Sequence, residues 1–440
     1  MALSLPQFTI VLGQERRETP SRSSCIVQLG AVAVGSGIVA LPYAVSLVGY
    51  WRAVLALILI AGLTQISTQW LATCALLSNK TTYEGNAKYF LGYPGHWLLI
   101  VNLILLLIGG SAAMVMVSVE SIMACPLVVG SDAPDPWVVM LVVFLVVSVL
   151  TVLTGDKTER LNFVSVISLA CSAYFVVILC IQASVRSPKP VIFDQVSDSI
   201  ESVSIMINSF IMSFYVFTLI GRLGREGIPA IGQISFISIF FIITPIYFVV
   251  GLVGFYAFDA VPANILTANW TINASLVETG RLAIALVNIV KLPLLVIPLR
   301  ETVTKLFPLT FPSIDQSVFL EIIIFCVASV FDSVATLLAL VGTTCGVCIS
   351  FTVPALMFFQ KQFIEDEQAD LARRVTTFYH AQPDSEPVSP SGARNARNRK
   401  GKRFASGFMV VASVAFMAVG LTASLSDSKK STEFIDVYRD

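Results

Sequence analysis

Apolar residues in this chain fall into long blocks separated by short polar stretches. A membrane-crossing helix needs about 20 apolar residues. Eleven blocks qualify, at approximately 25–48, 52–78, 97–125, 136–154, 162–184, 200–221, 231–258, 278–304, 317–341, 343–360 and 404–425. The pattern predicts an all-α polytopic membrane protein with eleven transmembrane helices. Most linkers are too short for a soluble domain. The exception, 361–402, begins acidic with Glu365, Asp366, Glu367 and Asp370 and ends basic with Arg394, Arg397, Arg399, Lys400, Lys402 and Arg403. It reads as a solvated, disordered loop. Ten core helices, 25–360, divide into two repeats of five, 25–184 and 200–360. Five is odd, so the second would be inverted relative to the first, a common transporter plan. The eleventh helix, 404–425, and a tail, 426–440, follow.

Composition agrees with immersion in lipid. The chain is 56% hydrophobic and 13% charged, about half the charge of a soluble domain. Its net charge is zero, so no nucleic-acid partner is expected. The lipid bilayer is the expected surrounding, and the chain is expected to work as a monomer. Positive charge sets the orientation. With residues 1–24 in the cytosol, that tail and the even-numbered linkers hold 20 of the 28 Lys and Arg. No cleavable signal is evident in 1–24, so the first span is expected to act as an uncleaved anchor. The sequons at Asn269 and Asn273 fall in the 259–277 loop, outside the cytosol, and predict a eukaryotic glycoprotein. A third sequon, at Asn79, falls on the cytosolic side and should stay unmodified. The tail 426–440 would be extracellular or lumenal.

The first apolar block contains Gly35-Ser36-Gly37-Ile38-Val39-Ala40-Leu41-Pro42-Tyr43-Ala44. Glycine and proline are poor helix formers, and freed backbone groups inside lipid must find partners. The segment reads as an unwound hinge between two half-helices. The N–H groups of Ser36, Gly37 and Ile38 would then head the second half and bind a carboxylate. The alternative is close helix packing through small residues; Pro42 favours the hinge. Gly109-Gly110-Ser111 leaves room for a substrate or a close helix, and Ser111 could line the site. His96 and His380 fall in linkers, so no metal centre, Ser-His-Asp catalysis or cofactor is expected. Without a convergent acid, base and nucleophile, the chain is not expected to be an enzyme. The pair Cys345 and Cys348 reads as small core residues.

Gly35 to Ala44 resembles the first-helix motif of the amino acid/auxin permease family, related to the amino acid-polyamine-organocation superfamily. Arg281-Leu282-Ala283 with Pro293 and Ile297-Pro298-Leu299-Arg300 resembles its eighth helix. Leu340 to Gly346, with Phe351 and Pro354-Ala355-Leu356, resembles its ninth-to-tenth junction. The resemblance implies the 5+5 inverted-repeat fold of the bacterial leucine transporter plus one helix, and a role as an amino acid permease. Helix 6 is the expected partner of helix 1. Many relatives have Phe-Ser-Phe there with a histidine three residues later; this chain has Ser213-Phe214-Tyr215-Val216-Phe217. Phe217 stands at the histidine position, so a coupling role for that histidine is lost. Ser213, Phe214, Tyr215 and Phe217 are candidate walls for the substrate side chain, with ordinary apolar packing the alternative for the aromatics.

Lys291 lies near the centre of helix 8, two residues before Pro293. A lysine at mid-bilayer costs about 2.5–3.5 kcal/mol on insertion scales and marks a function by default. The resemblance puts Lys291 where sodium-coupled relatives place a small hydroxyl residue at a sodium site between helices 1 and 8. Its ammonium could take the cation's place and donate to carbonyls around Ala33, Val34 and Gly35. A titratable group there could also bind and release a proton during transport. The alternative is a lysine snorkelling or paired for structure. The expected activity is sodium-independent transport of small neutral amino acids by alternating access, by proton symport or facilitated diffusion. An amino-acid-sensing receptor and a sodium-coupled symporter are the alternatives. The plasma membrane and an endolysosomal or vacuolar membrane both fit.

Overall fold

The computed structural model describes residues 21–129, 134–154, 160–185, 199–306, 313–379 and 402–422. Expectations for residues 1–20, 380–401 and 423–440 lie outside these. The described residues form helices and short connections. In chain order they are α1 (Arg22–Ala33), α2 (Gly37–Val48), α3 (Tyr50–Ser78), α4 (Tyr83–Met123), α5 (Pro136–Thr154), α6 (Arg160–Val185), α7 (Ser199–Ser209), α8 (Ser213–Gly227), α9 (231–257), α10 (Ala274–Leu306), α11 (Ser313–Val330), α12 (334–379) and α13 (Lys402–Thr422).

Among the described residues, eight helical runs are long and apolar enough to cross a membrane, or nine when α1 and α2, bent by 57°, count as one broken span. The sequence pattern predicts eleven. The difference has two sources. The expected sixth and seventh spans form one helical run, Ser199–Ala257, and α11 is not among the runs that qualify. Within that long run, Gly224 adopts φ 66°, ψ −177°. This backbone region admits glycine at little cost, so the chain turns there.

One helix boundary differs from expectation. The apolar pattern divides the ninth and tenth spans near residue 342. The chain instead breaks at 331–333, and α12 runs through Gly342 and Gly346 in two π-helical turns, Gly342–Gly346 and Cys348–Thr352. Gly342 serves packing here: a Cβ on it would stand 2.1 Å from the Ser204 carbonyl oxygen of α7. Asp332 lies in the linker at 331–333. Residues 361–379, expected to belong to a disordered loop, are instead the helical end of α12. Lys361 and Glu365 pair across one turn at 2.7 Å. Arg403 of α13 pairs with Asp366 and donates to the Gln362 carbonyl at 3.2 Å, tying α13 to α12.

Packing separates an inner from an outer set. The halves α1, α2, α7 and α8 pack against α3, α4, α6, α9 and α12, and α10 packs along α4 and α6. Helices α5 and α13 show much of their apolar surface outward, as with Trp137, Leu141 and Leu145 or Phe404, Phe408 and Val411. Lipid contact suits such faces. The broken helices thus sit inside, with their polar backbone shielded from hydrocarbon.

Candidate substrate site

Between α1 and α2 the chain leaves helical geometry at Val34, with φ −75° and ψ 85°. Helix ends leave backbone carbonyls and N–H groups without intrahelical partners, and inside lipid each needs one. Most carbonyls at this break are accounted for. Val34 N–H donates to Gly30 O at 3.1 Å, and Ile38 N–H donates to Gly35 O at 3.2 Å. Lys291 Nζ of α10 donates to Ala31 O at 2.7 Å and to Val34 O at 2.6 Å. The Tyr247 hydroxyl of α9 lies 2.7 Å from Ala33 O. Lys291 is buried, and charge-assisted bonds of this length are stronger than neutral ones. The partners expected for Lys291 were carbonyls around Ala33, Val34 and Gly35; those found are Ala31 and Val34.

A second break lies opposite the first. Helix α7 ends at Ser209 and α8 starts at Ser213, with Phe210, Ile211 and Met212 between. No glycine or proline occupies it. The two breaks touch: a Cβ on Gly37 would stand 2.5 Å from Ser209 Oγ and 3.2 Å from Ser209 Cα. Tyr247 bridges them, because its hydroxyl also lies 2.6 Å from Ser209 O. One hydrogen serves two carbonyls, one from each broken helix. The Phe210 ring meets the Tyr247 ring edge-on at 5.0 Å.

Several expected site residues come together here. Gly35, Ser36, Gly37 and Ile38 form the first break and the start of α2. That start has no side-chain cap, and neither does α8. Two helix N-termini therefore present uncapped N–H groups, the arrangement that binds a carboxylate. Ser213 heads α8, and its buried Oγ has no hydrogen-bond partner among the described residues. The same holds for Ser111 Oγ. Ser111 stands on α4 one turn before Met114, whose methyl group would lie 3.3 Å from a Cβ on Gly35.

The other candidates are engaged elsewhere. Tyr215 donates its hydroxyl to Gln28 Oε1 of α1 at 3.1 Å, and Arg222 Nη1 donates to the same oxygen at 2.9 Å. Phe217 stacks on Tyr83 of α4 at 4.8 Å, and Tyr83 donates to Ile349 O at 2.7 Å. Phe214 is half-buried against the core. Tyr215 and Phe217 thus join α8 to α1 and α4. Gln28, Arg222 and Tyr247 did not figure among the expected site residues. Gln28 was detectable as an amide side chain within an apolar block.

At the other end of these helices a loop covers their ends. Arg281 of α10 donates Nε to Leu266 O at 2.7 Å and Nη1 to Ala124 O at the end of α4. Asn264 Nδ2 donates to Glu120 at 2.7 Å. Gln182 of α6 accepts from Thr271 N–H at 3.0 Å and donates to the Thr271 hydroxyl at 3.0 Å. Asn269 and Asn273 are exposed in this loop, and Asn273 Oδ1 accepts from Ser275 N–H at 3.0 Å at the start of α10.

Residues 21–369 match the family model described as "Transmembrane amino acid transporter protein". The chain belongs to this family of amino acid transporters. The match takes in both breaks, Lys291 and the covering loop. The transporter is 22% identical over 384 residues to a rat protein named "Putative sodium-coupled neutral amino acid transporter 11", covering 80% of each chain. It is 20% identical over 387 residues to the Arabidopsis thaliana "Amino acid transporter AVT6E", covering 80% of this chain and 78% of that one. Among solved structures, the manganese transporter of Eremococcus coleocola superposes with a TM-score of 0.54 at 9% identity, over 91% of this chain and 95% of the other. That likeness shows a shared fold. The chain is a transporter and not an enzyme.

Proposed function

We propose that this transporter carries small neutral amino acids across a membrane by alternating access, without sodium, with Lys291 in place of the coupling cation. The observation that carries the proposal is the Lys291 ammonium on Ala31 O and Val34 O. Two carbonyls at a helix break are the oxygen ligands a small cation takes, and here a tethered cation occupies them. The substrate carboxylate would lie on the uncapped start of α2 at Ser36 and Gly37; the expected third donor, Ile38 N–H, is already taken by Gly35 O. Ser111 and Ser213 hydroxyls would serve its polar groups. No carboxylate belongs to the described residues assembled at the breaks, which favours a neutral substrate, as the rat relative's name also does.

The eleven-span, 5+5 plan belongs to this proposal. A run of 59 residues, Ser199–Ala257, is far longer than the roughly 20 residues a crossing needs, and it turns at Gly224. Read as two spans, with α11 and the bent pair each as one more, the set becomes eleven. The breaks then fall in spans one and six, five apart, as an inverted repeat places them. The N-terminus would be cytosolic, in the plasma membrane or an endolysosomal or vacuolar membrane. The rat relative's name favours a second reading, sodium coupling. Lys291→Thr separates the two. If the ammonium replaces sodium, K291T loses sodium-free uptake by tenfold or more. Unchanged, still sodium-independent uptake by K291T would sink the assignment.

A further inference from the structure

Away from the two breaks, α11 buries a carboxyl group. Glu321 is 1% exposed. Ser148 Oγ of α5 donates to its Oε2 at 2.6 Å, and Thr151 Oγ1 of α5 stands 2.5 Å from its Oε1. An ionisable group inside a membrane is expensive and is retained for ion or proton pathways or a partner charge. The three helices packed on α11 are α4, α5 and α10, and a partner charge is not found there among the described residues. Helix α5 has no charged residue. The charged and histidine residues of α4, Glu84, Lys88, His96 and Glu120, lie toward its ends. On α10, Glu278 lies near the start, Arg281 is engaged by the covering loop, Lys291 is turned to Ala31 and Val34, Glu301 is exposed, and Arg300 donates to Ser317 Oγ at 3.3 Å, one turn before Glu321. On α11 itself, Asp315 lies in the first turn.

The decisive detail is at Thr151. Its hydroxyl has one hydrogen and two acceptors, Glu321 Oε1 at 2.5 Å and Val147 O at 3.0 Å. With Glu321 ionised, Thr151 donates to Oε1. With a proton on Oε1, that proton is donated to Thr151 Oγ1, whose own hydrogen turns to Val147 O. No heavy atom needs to move. These oxygens stand at hydrogen-bond separations, so a proton and not a metal ion fits between them. We propose that Glu321, with Ser148 and Thr151, is a proton-binding site within the membrane, through which a proton gradient drives amino acid uptake. Helices α5 and α11 both pack on α4 and α10, the helices that hold Ser111 and Lys291.

The coupling half of this inference rests on the reading of the chain as a carrier; the proton-binding half does not. Two measurements on the full chain in liposomes therefore test it. Infrared difference spectra taken across pH should show a protonated-carboxyl band that grows on acidification in the wild type and is missing in Glu321→Gln. Uptake of a labelled neutral amino acid panel should be stimulated severalfold by an inward proton gradient in the wild type. E321Q should lose that stimulation, with a flattened pH profile, while eluting as a folded protein. Should E321Q fail to fold, Thr151→Val reports on the same site through a shifted titration of the band. No band lost in E321Q, or full gradient stimulation in E321Q, overturns the inference. A titrating band with no uptake of any panel member by the wild type supports the proton site and defeats the carrier reading.

Discussion

Tyr247 and Gly37 are the residues on which contact between the two broken helices depends. Tyr247 supplies one hydroxyl to two carbonyls in a buried setting. Removing it leaves acceptors unsatisfied, at about 1–3 kcal/mol. Tyr247→Phe should therefore lower the thermal unfolding temperature of the purified protein and slow uptake; an unchanged unfolding temperature would deny the bridge. Gly37 is glycine because Ser209 fills the space a Cβ would need. Overpacking costs about 1–3 kcal/mol, so Gly37→Ala should cut uptake about fivefold or more. Adding Ser209→Gly removes the nearest atom and should recover part of the loss. No recovery would place the effect elsewhere. Of these residues the sequence made Gly37 visible, through its neighbours Gly35 and Pro42. It also made Lys291 visible, as a charge in an apolar run. Tyr247 was hidden, because a tyrosine in an apolar helix is ordinary until its acceptors are known.

At the level of elements, the first break was legible and the second was not. Glycine and proline announce a discontinuity at 35–42, but Phe210-Ile211-Met212 is apolar and holds no glycine or proline to stop a helix. Its unwinding is tertiary: α2 presses on Ser209 at Gly37, and α9 supplies the donor that Ser209 O needs. The 342 boundary failed for a related reason, since a packing glycine and a helix-breaking glycine look alike in sequence. The covering loop hangs on few side chains. Gln182 is buried and satisfies two of the loop's groups at Thr271, backbone and hydroxyl. Gln182→Ala should loosen the loop and raise its cleavage by protease added from the side it faces. Equal cleavage rates in wild type and Q182A would show that Arg281 and Asn264 hold it alone.

For the whole molecule, the proposed orientation and coupling rest on where charge sits. With the N-terminus in the cytosol, Asn269 and Asn273 face the lumen or exterior, and both are exposed. Expression in a eukaryotic cell should give a glycosidase-sensitive mass that disappears when both are changed to Gln and is indifferent to Asn79→Gln. Sensitivity at Asn79 alone would invert the topology. The helical count was legible only in part: the apolar blocks 200–221 and 231–258 lie on either side of the turn at Gly224, but the blocks do not reveal the break at 331–333. The central claim is that a tethered ammonium on Ala31 O and Val34 O does the work of a bound cation. It is tested most directly by uptake of labelled neutral amino acids into proteoliposomes of the wild-type protein in sodium-free buffer. The account predicts saturable uptake that added sodium does not increase. Uptake that appears only when sodium is supplied would contradict it.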